Sequence, residues 1–203
     1  VEIQRAGDVI PQVVKVIRKS SNRNPQISIP KYCPVCGSKT IKENDETILR
    51  CNNENNCKAQ ILGKLEHFIS KKAFDIDGFG KKQIIQFWKL GLIKYYTDIF
   101  KLKKYKDKII NLDGWGQLSF NNLLESCENS KKIQFDKFIY AIGIRYVGET
   151  NSNILAKEFI NIENLINNKN IKAILSNIDG LGPKVVNSIT NYLIYSFNNY
   201  LTN

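Results

Sequence analysis

The stretch Ile76-Asp77-Gly78-Phe79-Gly80-Lys81 decides the fold, because close copies of it recur along the chain. Similar sequences stand at 112–117 (LDGWGQ) and 178–183 (IDGLGP), and a weaker copy stands at 144–149 (IRYVGE). The final glycines of successive copies are 36, 32 and 34 residues apart, at Gly80, Gly116, Gly148 and Gly182. A regular period of this size indicates one supersecondary unit that is repeated.

Helical hydrophobic spacing follows each copy. After Gly80, the side chains of Ile84, Ile85 and Trp88 are expected to share one helix face. The later copies are followed by similar spacing, at Phe120, Leu123 and Leu124, at Leu155 and Phe159, and at Val185, Val186, Ile189 and Leu193. A helical pattern also precedes the third copy, at Phe135, Phe138, Ile139 and Ile142. The sequence therefore predicts a mainly α fold with four tandem helix-hairpin-helix units.

The glycines of each copy favour a phosphate-binding role. A tight hairpin between helices needs backbone dihedrals that side chains resist, and a missing side chain lets an anion approach the backbone N–H groups. The helix that follows directs its positive end at the same point. Such contacts hold a DNA phosphate without reading its base. Alternatively, the glycines only end helices.

The candidate DNA-contacting residues are the hairpin glycines and the cations beside them: Gly78, Gly80, Lys81, Lys82, Gly114, Gly116, Arg145, Gly148, Gly180, Gly182 and Lys184. The apolar residue between the glycines (Phe79, Trp115 or Leu181) is expected to pack between paired hairpins. Base stacking by Trp115 is the alternative.

The overall charge agrees with a polyanionic partner. The 203 residues contain 30 Lys and Arg against 19 Asp and Glu, which gives a net charge of +11. Such a charge suits nucleic acid or an anionic membrane surface, although a merely basic soluble protein is the simpler alternative. The run Lys101–Lys108 is interpreted as a solvated face. With no membrane-spanning run and no signal peptide, a cytosolic location is expected.

Four cysteines predict a structural zinc site: Cys33, Cys36, Cys51 and Cys57. Two pairs of thiols separated by a short hairpin can place four sulfurs at tetrahedral corners, and four thiolates leave no position for catalysis. Gly37 is expected to ease the turn, and residues 47–50 are expected to form a strand leading to Cys51. Disulfides are the alternative, which a reducing compartment disfavours.

The remaining metal-binding side chains are given structural roles. His67 is the only histidine, and it is interpreted as a packed or hydrogen-bonded helix residue because four cysteines already complete the site. Cys127 stands apart in a helical pattern and is interpreted as a core thiol. With a single histidine and no nucleophile beside it, no catalytic residue is expected in this chain.

The N-terminal segment Val9–Ile17 is rich in β-branched residues and predicts a strand after a Gly7-Asp8 turn. A lone strand or hairpin is not stable in water. The segment is therefore expected to pair with a sheet formed by residues upstream of Val1, although it could instead pack on the rest of the chain. A disordered leader fits such an apolar stretch poorly.

The order of these parts resembles the C-terminal half of NAD-dependent DNA ligases. Residues 5–11 (RAGDVIP) are similar to the end of that family's OB-fold, and 65–70 (LEHFIS) with 74–78 (FDIDG) are similar to its junction between zinc finger and first hairpin. Residues 141–149 (AIGIRYVGE) are similar to its third hairpin. The resemblance implies three domains: 1–29, the end of an OB-fold and a linker; 30–62, a four-cysteine zinc finger; and 63–203, a helix-hairpin-helix domain.

The resemblance also implies a role in sealing nicks in duplex DNA during replication and repair. In the family, NAD donates AMP to a lysine within Lys-x-Asp-Gly. The residues at the lysine position before the three Asp-Gly pairs of this chain are Asp75, Asn111 and Asn177. NAD and Mg²⁺ are therefore expected to act in a missing catalytic part, while this segment binds structural Zn²⁺ and nicked duplex DNA and is inactive alone. The resemblance suggests a monomer in a bacterial cytoplasm, associated with the nucleoid.

Two other classes of function remain open. One is a non-catalytic helix-hairpin-helix scaffold of another repair protein, such as a nuclease or recombination protein, against which the zinc hairpin and the RAGDVIP strand argue. The other is an interaction module whose hairpins bind protein instead of DNA. The basic charge and intact glycines make this the least favoured of the three.

Overall fold

The computed structural model describes residues 1–7, 10–17, 28–42 and 46–200, with only the backbone described for Ala6 and for 195–200. The chain divides into two compact units, Val1–Asn52 and Asn53–Asn203. The strands are β1 (Glu2–Ala6), β2 (Ile10–Lys15), β3 (Thr40–Ile41) and β4 (Arg50–Cys51). The helices are α1 (Lys58–Phe68), α2 (Lys81–Lys89), α3 (Tyr96–Ile99), α4 (Lys106–Ile109), α5 (Gln117–Ser130), α6 (Phe135–Ile142), α7 (Glu149–Phe159), α8 (Ile162–Ile166), α9 (Ile171–Asn177) and α10 (Pro183–Tyr200).

The first unit contains two small antiparallel sheets. Strands β1 and β2 form a hairpin in which Gln4 faces Gln12, and β3 pairs with β4 so that Thr40 faces Cys51. The predicted strand Val9–Ile17 is thus confirmed for Ile10–Lys15; Val16 and Ile17 lie beyond the end of the strand, and Val9 lies outside the described residues. The strand predicted at 47–50 is wrong apart from Arg50, because backbone pairing with β3 is limited to two residues, Arg50 and Cys51.

The second unit is helical and contains two hydrophobic cores. The first core contains the interiors of α1, α2 and α5, and Phe68 stacks there on Phe74 and Tyr96 at ring-centroid distances of 4.1 and 4.6 Å. The second core contains the interiors of α7, α9 and α10. Since apolar faces at helical spacing bury themselves in both cores, the predicted mainly helical fold is confirmed.

The predicted helix faces are fully confirmed only on α7, since Leu124 on α5 and Val185 on α10 are partly buried beside their buried neighbours. Leu155 and Phe159 are buried on α7, Val186, Ile189 and Leu193 on α10, and Phe120 and Leu123 on α5. On α2 the buried residues are Ile84 and Phe87, whereas Ile85 and Trp88 are only partly buried. The predicted face was therefore rotated by part of a turn, because Phe87 lies three residues after Ile84 and completes the inward stripe.

The lysine-rich run Lys101–Lys108 forms a short 3-10 helix at Leu102–Tyr105 and the first part of α4. Its lysines are exposed while Leu102 is buried, so the interpretation as a solvated face is confirmed. None of the described helices combines the length and the apolar character that crossing a membrane requires.

Candidate metal centre and nucleic-acid interface

The four predicted ligand cysteines lie together. The sulfur atoms of Cys33, Cys36, Cys51 and Cys57 all lie within 4.8 Å of one another, with Cys33 and Cys57 buried. The five cysteines are all within the described residues, and no disulfide joins any of them. The predicted clustering is confirmed. Four soft sulfur donors converging on one point form the ligand set of a closed, tetrahedral zinc site.

Local backbone structure brings these sulfurs together. The N–H of Gly37 donates to the carbonyl of Cys33 at 2.9 Å, and the N–H of Cys33 donates to the carbonyl of Ser38 at 2.7 Å. Gly37 has a φ of +70°, a left-handed conformation that side chains rarely adopt. This tight turn places Cys36 next to Cys51, with 3.5 Å between their sulfurs.

Hydrogen bonding favours the thiolate form that a metal requires. Hydrogen bonds from the Ser38 side chain and backbone lower the pKa of the Cys36 thiol to about 6, helped by Cys51 and Cys33. A thiol with such a pKa is largely ionised at neutral pH and can coordinate zinc without a further proton loss. The donor chemistry therefore fits a zinc ion with a structural role.

The two other candidate ligands have separate structural partners, as predicted. His67 Nε2 lies 2.8 Å from the carbonyl oxygen of Tyr140, which accepts its hydrogen bond, and the two rings pack at 4.6 Å. Cys127 is buried on α5, where burial raises the pKa of its thiol to about 11. His67 and Cys127 are therefore confirmed as a hydrogen-bonded helix residue and a core thiol.

All four glycine motifs have a residue with a left-handed φ at the hairpin tip. The third residue of each motif has a left-handed φ: Gly78 (+75°), Gly114 (+77°), Tyr146 (+65°) and Gly180 (+86°). In the last three motifs the residue that follows donates its N–H to the first residue of the motif, at 3.0, 3.0 and 3.3 Å. A positive φ at this position with that hydrogen bond is the signature of a type II turn. The weaker copy at 144–149 is thus a hairpin of the same kind.

Unlike the third residue, the last glycine of each motif does not have a left-handed φ. Gly80, Gly116 and Gly148 precede their helices in extended conformations that any residue can adopt, and the φ of Gly182 is not left-handed either. A Cβ added at Gly116, Gly148 or Gly182 would meet no atom within 4 Å. The described structure therefore does not itself demand glycine there, whereas close approach by another molecule would.

The charges around the hairpins differ from one copy to the next. Lys81 is exposed and lies 3.5 Å from Glu66, while Lys184 is exposed at the start of α10. In the third hairpin, Arg145 lies over the ring of Tyr146 at 4.8 Å. Glu149, the first residue of α7, forms an exposed 2.6 Å ion pair with Lys72.

The apolar residues between the glycines pack inside the protein, as predicted. Phe79 and Trp115 both contact the buried ring of Phe87, at centroid distances of 5.3 and 5.0 Å. The Trp115 Nε1–H donates to Gln86 Oε1 at 3.1 Å, so this indole is held by the first pair of hairpins. Leu181 is buried in the second core. Sequence reasoning missed Tyr146 as the glycine substitute, because only the backbone dihedral reveals that equivalence.

Comparison with known proteins gives a consistent result. Residues 32–59 match the NAD-dependent DNA ligase C4 zinc finger domain, and 137–200 match the helix-hairpin-helix motif. The chain is 42% identical to a DNA ligase of Pelagibacter ubique over 98% of its own length, and 44% identical to a DNA ligase of Wolbachia pipientis wMel over 95%. It spans about 30% of the length of each of these curated relatives. The chain thus resembles DNA ligases over nearly its whole length, and residues 32–59 match the zinc finger of the NAD-dependent class.

Proposed function

We propose that this chain is the DNA-binding C-terminal portion of an NAD-dependent DNA ligase, and that it grips duplex DNA while nicks are sealed during replication and repair. The observation that carries the proposal is the open space beside the last glycine of the second, third and fourth motifs, where an added Cβ would meet no atom within 4 Å. A backbone without side chains, at the start of a helix, suits an approaching phosphate. The similarity of nearly the whole chain to DNA ligases supports the same function.

The proposed site residues have two roles. Cys33, Cys36, Cys51 and Cys57 bind a structural Zn²⁺ ion. The DNA backbone is bound by the hairpins, through Gly78, Gly80, Lys81, Lys82, Gly114, Gly116, Arg145, Gly148, Gly180, Gly182 and Lys184. The NAD and Mg²⁺ chemistry belongs to other parts of the ligase, because this chain contains no Lys-x-Asp-Gly motif.

The finer assignments follow the same proposal. Residues 1–29 belong to the end of an OB-fold domain and a linker, 30–62 to the zinc finger, and 63–203 to the helix-hairpin-helix domain. The protein acts as a monomer on nicked duplex DNA in the bacterial cytoplasm, associated with the nucleoid. The exposed apolar strands β1 and β2 are consistent with a sheet that extends beyond them.

Binding to a nicked duplex tests this function. The purified chain is expected to bind with little sequence preference, and its affinity should fall with salt at a log–log slope of about −0.9 per neutralised phosphate. A triple variant, G116V/G148V/G182V, should lose most of this affinity because valine blocks the phosphate. Gly63→Val, at an α1 glycine where a Cβ also meets nothing, is the matched control and should bind normally.

The same material tests the division between DNA grip and chemistry. With NAD and Mg²⁺ present, the chain alone should leave the nick open, and sealing by the chain alone would contradict the assignment. Tight binding that persists in molar salt would contradict the phosphate contacts. Binding by the triple variant at the level of the wild type would show that the glycine hairpins are not the grip.

A further inference from the structure

The four hairpins carry different side chains at equivalent positions. The two residues after the last glycine are Lys81 and Lys82 in the first hairpin, Gln117 and Leu118 in the second, Glu149 and Thr150 in the third, and Pro183 and Lys184 in the fourth. Lysine is therefore present in the first and fourth hairpins and absent from the second and third. At these two positions, only the first and fourth hairpins can therefore form an ion pair with a phosphate.

Leu118 occupies the position of Lys82 and Lys184 in its own repeat. Its side chain is 75% exposed, more than any other large apolar side chain in the described part of the protein. Nothing in the α5 core requires leucine there, since Phe120 and Leu123 supply the buried face of that helix. An exposed leucine beside a proposed phosphate site is the kind of apolar side chain that minor-groove-binding proteins place against the duplex.

Tyr146 occupies the tip position that glycine holds in the other three hairpins. Its φ of +65° costs an aromatic residue about 1–2 kcal/mol relative to an ordinary conformation. At the equivalent Gly78 and Gly114 a Cβ would meet no atom within 4 Å, whereas at Gly180 it would meet Ile154 at 3.1 Å; the Tyr146 side chain is itself partly buried. Strain of this kind persists where the surrounding structure enforces it, and it clusters at functional sites.

Two contacts fix the tyrosine at this tip. Asn151 Nδ2 donates to the carbonyl oxygen of Tyr146 at 2.8 Å and fastens the strained backbone. The Arg145 guanidinium lies 4.8 Å from the centre of the Tyr146 ring and supports the side chain through a cation–π contact. The third hairpin thus holds a partly exposed aromatic ring in a fixed orientation at the position where the other hairpins have glycine.

The two kinds of hairpin are paired. The first core contains Phe79 from the first hairpin, and Trp115 from the second packs against it, whereas the second core contains Val147 from the third and Leu181 from the fourth. Each core therefore joins one lysine-bearing hairpin to one that lacks lysine at these positions. Because the two hairpins of a pair share one hydrophobic core, their ionic and apolar groups are expected to contact the same stretch of DNA.

We propose that Leu118 and Tyr146 make non-ionic contacts with the sugar edges of the duplex minor groove, while Lys81, Lys82 and Lys184 bind phosphates. This inference rests on the proposed function and adds a division of labour between the hairpins. Charged contacts set the salt dependence of binding, since each neutralised phosphate releases counterions. The apolar contacts add affinity that salt leaves unchanged.

Dissociation constants for a nicked duplex across a series of salt concentrations separate the two kinds of contact. Lys82→Gln and Lys184→Gln should each reduce the log–log salt slope by about 1. Leu118→Gln and Tyr146→Gly should weaken binding about 5- to 30-fold with the slope unchanged. Tyr146→Gly restores the residue of the other tips and removes the strain of a positive φ, and its melting temperature and circular dichroism, measured on the same sample, separate a loss of contact with DNA from a loss of fold.

A matched control is Ile160→Gln, which removes a 72% exposed apolar side chain at the C-terminal end of α7, outside the four hairpin motifs, and should leave binding unchanged. The inference is overturned if the Leu118 and Tyr146 variants bind like the wild type, or if their salt slope falls. Failure of the wild-type chain to bind duplex DNA would instead overturn the proposed function. Lysine variants with lowered slopes beside unaffected Leu118 and Tyr146 variants would overturn this inference alone.

Discussion

The two units of the chain differ in how far their apolar side chains are buried. In the described part of Val1–Asn52, Cys33 is the only buried residue, and the strand residues Ile3, Ile10 and Val13 are each more than half exposed. In Asn53–Asn203, apolar side chains fill two cores, and Phe87, Leu102 and Ile139 are fully buried. The helical unit therefore has its own source of stability, whereas the first unit needs a stabilising partner beyond its own side chains.

Metal is the partner that the sequence provides for the finger. A pair of two-residue strands buries too little surface to overcome the entropy of ordering the loop. Zinc binding to four thiolates supplies about 10–16 kcal/mol of apparent free energy in small fingers, which becomes folding free energy. The helical unit contributes Cys57, at the start of α1, to the cluster; beyond that end of α1 it draws its stability from apolar burial and is expected to be indifferent to the ion.

Zinc removal is expected to have the largest effect and to sharpen this contrast. Chelation, or Cys51→Ser, should unfold residues 30–62 because the thiolates then lose their common ligand. Hydrogen exchange measured by mass spectrometry should show loss of protection in that segment, while peptides from α5, α7 and α10 keep theirs. Zinc content, measured on the same samples, should fall with the structure.

The matched control for Cys51→Ser is Cys127→Ser, which removes a thiol from the helical core and should keep one zinc per chain. If Cys51→Ser kept full zinc content and unchanged thermal stability, the zinc assignment would be wrong. If the helices lost protection together with the finger, the contrast between the two units would be broken.

A core truncation is expected to have the next largest effect, now on the helical unit. Phe87→Ala removes a fully buried ring that packs against Phe79 and Trp115, and should lower the free energy of unfolding by about 3–5 kcal/mol. Urea denaturation followed by circular dichroism measures this loss. Zinc content should stay at one ion per chain.

Val13→Ala provides the comparison in the first unit. Val13 is 58% exposed on β2, so its truncation should change the free energy of unfolding by no more than about 0.5 kcal/mol. A loss from Val13→Ala as large as that from Phe87→Ala would show that β2 is buried in solution, and the contrast in burial would fail.

The sequence predicted the repeat, the helices and the cysteine cluster because each has a local signal. Glycine spacing located all four hairpins, including the weaker copy, and the Cys-x-x-Cys turn located the metal site. The buried face of α2 was predicted less well: Ile84, Ile85, Phe87 and Trp88 are all apolar, and periodicity alone does not decide which of them turn inward.

The remaining differences depend on tertiary geometry. Residues 47–50 have a composition typical of a strand, yet β4 begins only at Arg50 because its partner β3 has two residues. Tyr146 gave no glycine signal, and its equivalence to the tip glycines is visible only in its positive φ. The sequence likewise does not distinguish the glycines that the fold needs from those that leave room for a ligand. That distinction depends on the φ of each glycine and on the atoms near it.

That last distinction gives the smallest expected effect, within a single hairpin. Gly114 has a φ of +77°, so Gly114→Ala should cost about 1 kcal/mol of stability, since alanine disfavours the left-handed region. Gly116 is extended, with a φ of −162° and no atom within 4 Å of an added Cβ. Gly116→Ala should therefore change stability by less than about 0.5 kcal/mol. Urea denaturation of the two variants side by side measures the difference in their free energies of unfolding. If both variants lost the same free energy of unfolding, Gly116 would also be needed by the fold. The reason to assign its open side to a DNA phosphate would then be removed.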